Sequence, residues 1–179
     1  MVFCQEVTAQ VTDSLQRPTV AYWNTFAFGA LLPDSDKPIT ASVTTIHGIT
    51  FGRWRVGLGL GLEGYEDWRT YPFFGSVSFD FGKVKDNTFY LQLNAGQSIA
   101  RRQERIEGVF NEDEQGGLMF NSLLGYRIST NKMSVNIAAG YKLQRLDYEF
   151  DGYWGWQYGH HQMSQEYNRF MVQLGIGIR

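Results

Sequence analysis

The side chains best suited to act as nucleophile, base or metal ligand gather near the C-terminus, where His160 and His161 are adjacent and Ser164 follows. A serine becomes a nucleophile only when a base lies within hydrogen-bond reach and a third group orients that base. Spacing alone supplies neither. Neighbouring histidines on a strand point to opposite faces, and no cysteine or spaced carboxylate set completes a coordination shell around them, so no metal or cofactor is expected. Just upstream stand four aromatic residues, Tyr153, Trp154, Trp156 and Tyr158. Their rings combine apolar area with polar handles, which suits sugar stacking or adhesion, and equally suits packing at a boundary between apolar and polar surroundings. The stretch Arg101-Arg102-Gln103-Glu104-Arg105, with Glu112-Asp113-Glu114, reads as a solvated mixed-charge loop. Phosphate contact through Arg101 and Arg102 is its functional alternative.

Length and composition bound what can position these groups. A chain of 179 residues makes one domain, and 20 Gly, 10 Tyr, 13 Phe and 5 Trp against 4 Pro and one Cys describe a strand-rich protein. The mean hydropathy of −0.31 hides no stretch of roughly 20 apolar residues, which a membrane helix needs. A net charge of −2 gives no basis for nucleic-acid binding, and Cys4 alone forms no internal disulfide. No phosphate loop, zinc framework or basic patch is present.

The decisive pattern lies between residues 54 and 63. Trp54, Val56, Leu58, Leu60 and Leu62 alternate with Arg55, Gly57, Gly59, Gly61 and Glu63. On a strand these sets face opposite ways. Glycine is a poor residue for a solvent-facing strand, so the small and charged face belongs inside and the greasy face outside, the inverse of a soluble barrel. Eight strand-like segments follow this logic, at 20–31, 41–51, 53–64, 72–82, 88–100, 117–128, 133–148 and 166–178. The first two are ambiguous in phase, and Met119 and Leu123 are apolar exceptions on the inner face of the sixth. Links at 52, 83–87 and 129–132 are short, whereas those at 32–40, 65–71, 101–116 and 149–165 are longer. Short periplasmic turns alternating with long external loops, with an even strand count and both termini inside, characterise outer-membrane barrels. The expected fold is all-β, an eight-stranded antiparallel up-and-down transmembrane β-barrel over residues 19–179, preceded by a signal-peptide remnant and periplasmic lead at 1–18. Val7-Thr8-Ala9 supplies small residues for a signal-peptidase site, and Phe3 is too bulky to precede a lipidated Cys4.

The stretch from Ile46-His47-Gly48 through Phe81-Gly82, with Gly57-Leu58-Gly59-Leu60-Gly61 and Pro72-Phe73-Phe74, resembles the small OmpA/OmpX-type outer-membrane barrels, in particular their Bacteroidetes-like version. Gly125-Tyr126-Arg127 and Gly140-Tyr141 repeat the Gly-aromatic pairs common in such strands. The chain stops at Arg179, where that family usually ends in an aromatic residue. The resemblance implies a non-enzymatic outer-membrane protein whose surface loops serve envelope stability, adhesion or partner binding. Its surroundings would be outer-membrane lipid and lipopolysaccharide, with an envelope protein or larger complex as a further partner. Two small barrel enzymes act on lipid A through Ser and His, which makes acyl transfer or deacylation at His160, His161 and Ser164 one alternative. A soluble lipocalin-like lipid carrier is another, and would require the bulky residues inside.

An eight-stranded barrel is just wide enough to be filled by side chains, so inward charges should pair. With strands three and four as a hairpin near Asp67, Arg55 is expected opposite Asp80, with Arg127 as a third member near the short-turn end. The plainer reading is that these are turn-proximal charges in water. His47 is expected as a girdle or lumen residue.

Overall fold

The computed structural model describes residues 20–33, 37–84, 86–103, 109–130, 132–154 and 157–178, with only the backbone described at 83, 109–115, 152–154, 157 and 158. Eight strands follow in chain order: β1 (Val20–Pro33), β2 (Thr40–Phe51), β3 (Trp54–Tyr65), β4 (Trp68–Val84), β5 (Asn87–Arg102), β6 (Val109–Ser129), β7 (Met133–Trp154) and β8 (Gln157–Ile178). Each pairs antiparallel with its neighbour, and β1 pairs with β8 to close the barrel. Closure leaves no sheet edge, so every strand has two partners.

Burial follows the inverted alternation. On β3 the outward Leu58 and Leu60 are exposed while Arg55 and Glu63 are buried. On β8 Phe170, Val172, Leu174 and Ile176 face out, and Arg169, Met171 and Gln173 face in. The phase of β1, ambiguous in sequence, is set by Trp23, Ala27 and Leu31 inside and Tyr22, Phe26 and Phe28 outside. β2 buries Ser42, Thr44 and Ile46, which places His47 on the outer wall, hydrogen-bonded to the Tyr22 hydroxyl at 2.6 Å and to Thr45 at 3.2 Å. Of the two readings for His47, the outer-wall one applies.

The lumen is narrow enough that glycine is a packing requirement there. A Cβ on Gly59 would sit 2.3 Å from the Phe74 ring, and one on Gly125 would sit 2.3 Å from the Tyr90 ring. The bare faces of β3 and β6 make room for rings projecting from β4 and β5. At the β2–β3 turn Phe51 pairs with Trp54, and Gly52 takes φ of 60°, the left-handed conformation a two-residue hairpin favours.

Three sequence expectations are corrected. The link expected at 65–71 is a two-residue turn, because Tyr65 pairs with Trp68, and the link expected at 149–165 is mostly ladder, because β7 and β8 pair out to Trp154 and Gln157. Likewise Arg101 and Arg102 belong to β5, and β6 begins at Val109. On β3, β5 and β6 the expected boundaries fell where outward apolar residues stop, whereas on β7 that line is passed at Leu143, inside the expected strand 133–148. Beyond that line the outward side chains are Arg145, Asp147, Glu149 and Asp151, and hydrogen bonding continues without them being apolar. The strands outrun the greasy band, and β6, β7 and β8 form a tall wall on the side away from Gly52.

Candidate functional site

Two charged layers occupy the lumen, separated by an apolar and amide layer. Near the short-turn end Asp80 accepts from Arg127 Nη1 at 2.6 Å and lies 3.5 Å from Arg55 Nε. Arg127 also donates through Nε to Asn136 at 2.9 Å and lies over the Tyr90 ring at 4.4 Å, while Arg55 lies over Trp23 at 5.7 Å. The three residues singled out in sequence therefore meet, although by a different register. Arg55 pairs with Ser78, not with Asp80 as expected, because the two-residue β3–β4 turn shifts the ladder by two positions; Asp80 is reached diagonally. This layer opens into a bowl of about 1110 Å³ that Arg53, Asp86, Thr88 and Lys132 also line, so water reaches it.

Above it Phe74, Ile46, Met119 and Trp23 pack in one cluster, and Leu123, Ala138, Tyr90 and Met171 in another. Two amides in this region find partners: Gln92 donates to Asn94 at 3.1 Å, and Asn121 donates to the Met171 sulfur at 3.4 Å.

The second charged layer was not foreseen in sequence. Glu63 on β3 pairs with Lys142 on β7 across the full width of the lumen, and both side chains are at most 1% exposed. Ser42 and Tyr65 each donate to the Glu63 carboxylate at 3.2 Å. A buried charge pair costs desolvation that Coulomb attraction offsets only when the remaining lone pairs are bonded, which these hydroxyls do. The available signal was topological: in a closed ring of eight, β3 and β7 face each other, and both residues are in the inward phase. Higher still, Arg169 lies 3.6 Å from Glu66, and Arg102 sits between Trp68 and Tyr148 at 5.3 and 5.8 Å from their rings.

The remaining candidates separate. Arg101 faces outward and is exposed, whereas Arg102 faces the mouth of the barrel, so the two do not form one contact surface. Tyr153, Trp154 and Tyr158 lie on strands whose side chains are outside the described residues, as is Trp156 altogether. His160 is exposed and donates through Nδ1 to Asp151 at 2.9 Å, with Glu149 at 3.5 Å from Nε2. The hydrogen bond to Asp151, with the charge of Glu149, holds its imidazole above the ordinary value. His161 turns to the opposite face and packs on Phe150 at 5.3 Å. Ser164 hydrogen-bonds Asp147, which with Arg145 lowers the Asp147 carboxyl below its usual range. Four residues of extended chain, about 13 Å, separate His160 from Ser164. This geometry does not bring serine and histidine within hydrogen-bond reach. Among the described residues no group of three or more His, Cys, Asp or Glu side chains converges on a metal position.

A closed antiparallel eight-strand barrel, charged and ring-filled inside and apolar outside, defines the class of fold. No protein-family model and no curated protein sequence matches the chain. Among solved structures the chain is similar to Neisserial surface protein A, with a TM-score of 0.62, 14% identity and coverage of 89% of this chain and 98% of that one. It is similar also to the outer membrane protein OprG from Pseudomonas aeruginosa, with a TM-score of 0.66, 12% identity and coverage of 88% and 94%. The outer membrane protein AlkL aligns with a TM-score of 0.53, 13% identity and coverage of 98% and 96%. At these identities the likeness is one of fold.

Proposed function

We propose that this chain is an integral outer-membrane barrel without catalytic activity, with a side-chain-filled lumen and both termini on the periplasmic side. The observation that carries the reading is the inverted burial. Val56, Leu58, Leu60, Phe73, Leu93, Phe120, Ile137 and Leu174 are exposed on the wall, while Arg55, Glu63, Arg127, Lys142 and Arg169 are buried within it. Water around such a wall would meet a continuous apolar belt, which soluble monomers avoid; lipid accepts it. Aromatic pairs at the short-turn end, Trp54 with Phe79 and Phe89 with Tyr126, each 4.7 Å apart, suit one interface girdle.

Within that reading the tall wall of β6, β7 and β8 is the surface-exposed part, and its role is envelope stability, adhesion or docking of an envelope partner. An OmpA/OmpX-like place in the envelope is part of the same proposal. The lipocalin-like alternative lacks its main requirement, an apolar cavity, because the interior is occupied by paired charges and rings. Membrane fractionation with gel mobility before and after boiling tests the proposal. A band in the outer-membrane fraction that migrates faster unboiled supports it, and a soluble periplasmic protein with no mobility shift overturns it. Planar-bilayer recording should find no sustained single-channel conductance.

A further inference from the structure

The outer wall carries one arrangement that the barrel's own stability does not explain. Arg69 on β4 and Arg101 on β5 are register partners, both exposed and both facing outward. Like charges directly opposite on a sheet repel. Neither arginine makes an ion pair with any described residue, including Asp67, the acid two positions before Arg69 on the same face. On the other flank Arg69 faces Gly64, where an added Cβ would meet nothing closer than 3.7 Å. Two guanidinium groups thus stand side by side beside an open patch.

Their height on the wall matters as much as their charge. Immediately below them the outward residues are Tyr71 and Phe73 on β4, Ile99 on β5 and Leu62 on β3, exposed by 39, 56, 62 and 47%. The pair lies at the rim of the apolar belt, on the side away from Gly52 and both barrel termini. A ligand that satisfies both features has an anionic head at the level of the arginines and hydrocarbon running down the wall. Guanidinium groups bind phosphate oxygens through paired N–H donors, more specifically than an ammonium does.

We propose that Arg69 and Arg101 together hold the phosphate of an outer-leaflet lipid, with its acyl chains along Leu62, Tyr71, Phe73 and Ile99. This rests on the membrane-spanning reading and adds a defined lipid site to it. Arg102 is excluded by its turn into the barrel mouth, and Arg145 by its pairing with Asp147 at 3.0 Å.

The test uses the full chain inserted into phosphatidylcholine nanodiscs doped with bisphosphorylated lipid A, with bound lipid counted by native mass spectrometry. Unboiled gel mobility verifies that each variant is folded. The double variant Arg69→Gln/Arg101→Gln should hold lipid A about 30-fold more weakly, given roughly a fivefold contribution from each interfacial arginine. The double lysine variant should fall between it and the parent, and Arg53→Gln at the other rim should match the parent. Equal retention by the parent and the double glutamine variant overturns the site, as does an equal loss on Arg53→Gln. Displacement of lipid A by millimolar inorganic phosphate would show that a free anion suffices and overturn the lipid assignment. Failure of the parent to insert overturns the membrane reading and the site with it, whereas equal retention by inserted proteins overturns the site alone.

Discussion

The two charged layers of the lumen contain the same chemistry in different surroundings. Glu63 and Lys142 form a one-to-one pair sealed from water, with Ser42 and Tyr65 on the spare lone pairs of the carboxylate. Asp80 instead serves two arginines, is 16% exposed, and borders the bowl at the short-turn end. In the sealed layer each charge depends wholly on its partner. In the open layer water and the faces of Tyr90 and Trp23 share the work. The lesson is that a charge pair's importance scales with what remains when one member is removed, not with how short its contact is.

Mutations can break this contrast directly. The largest effect is expected from Lys142→Met, which strands the Glu63 carboxylate where no water reaches it and should cost about 3–5 kcal/mol in urea unfolding from micelles. Asp80→Asn keeps an acceptor beside Arg127 and a route to water, so about 1–3 kcal/mol is expected, read as a lower unboiled-to-boiled transition temperature. No change there would sink the pairing. Converting both members of the sealed pair, Glu63→Gln with Lys142→Met, should recover most of the loss and end within about 1–2 kcal/mol of the parent. If the double variant is as damaged as Lys142→Met alone, desolvation is not what distinguishes the layers.

The smallest effect lies outside the lumen, at His160. Its imidazole gains a proton more readily when folded because Asp151 accepts from it and Glu149 is near. That contribution is present below the ordinary histidine value of about 6.5 and disappears as pH rises through the folded value. An NMR titration should place its midpoint above that of a free histidine, and Asp151→Asn should bring it down. Being fully solvated, this pair should leave the barrel's unfolding midpoint almost unmoved.

The number and direction of the strands, and the inner face of all but β1 and β2, were legible because lipid and lumen impose opposite demands on alternate residues. Gly57, Gly59 and Gly61 against Leu58, Leu60 and Leu62 state that demand within a few positions. Strand length was less legible. Alternation reports contact with hydrocarbon, and β7 keeps its ladder past Leu143 after that contact ends. The meeting of Arg55, Asp80 and Arg127 could be anticipated from their shared end of the barrel, but not the diagonal reach, which follows from a turn only two residues long. Glu63 and Lys142 escaped because they are 79 positions apart and no local pattern relates them.

That separation has a consequence for assembly. The bond between β3 and β7 spans the barrel rather than a hydrogen-bonded neighbour, so an open, partly zipped sheet cannot make it. Until the sheet curls far enough to bring β3 opposite β7, Glu63 and Lys142 are solitary charges. A half-inserted intermediate would carry both into an apolar medium unpaired, at a cost of several kcal/mol for each ion. The pair therefore favours the closed ring over any arrangement in which β3 and β7 stand apart. Crosslinking across β3 and β7 would report the curling of the sheet into the ring.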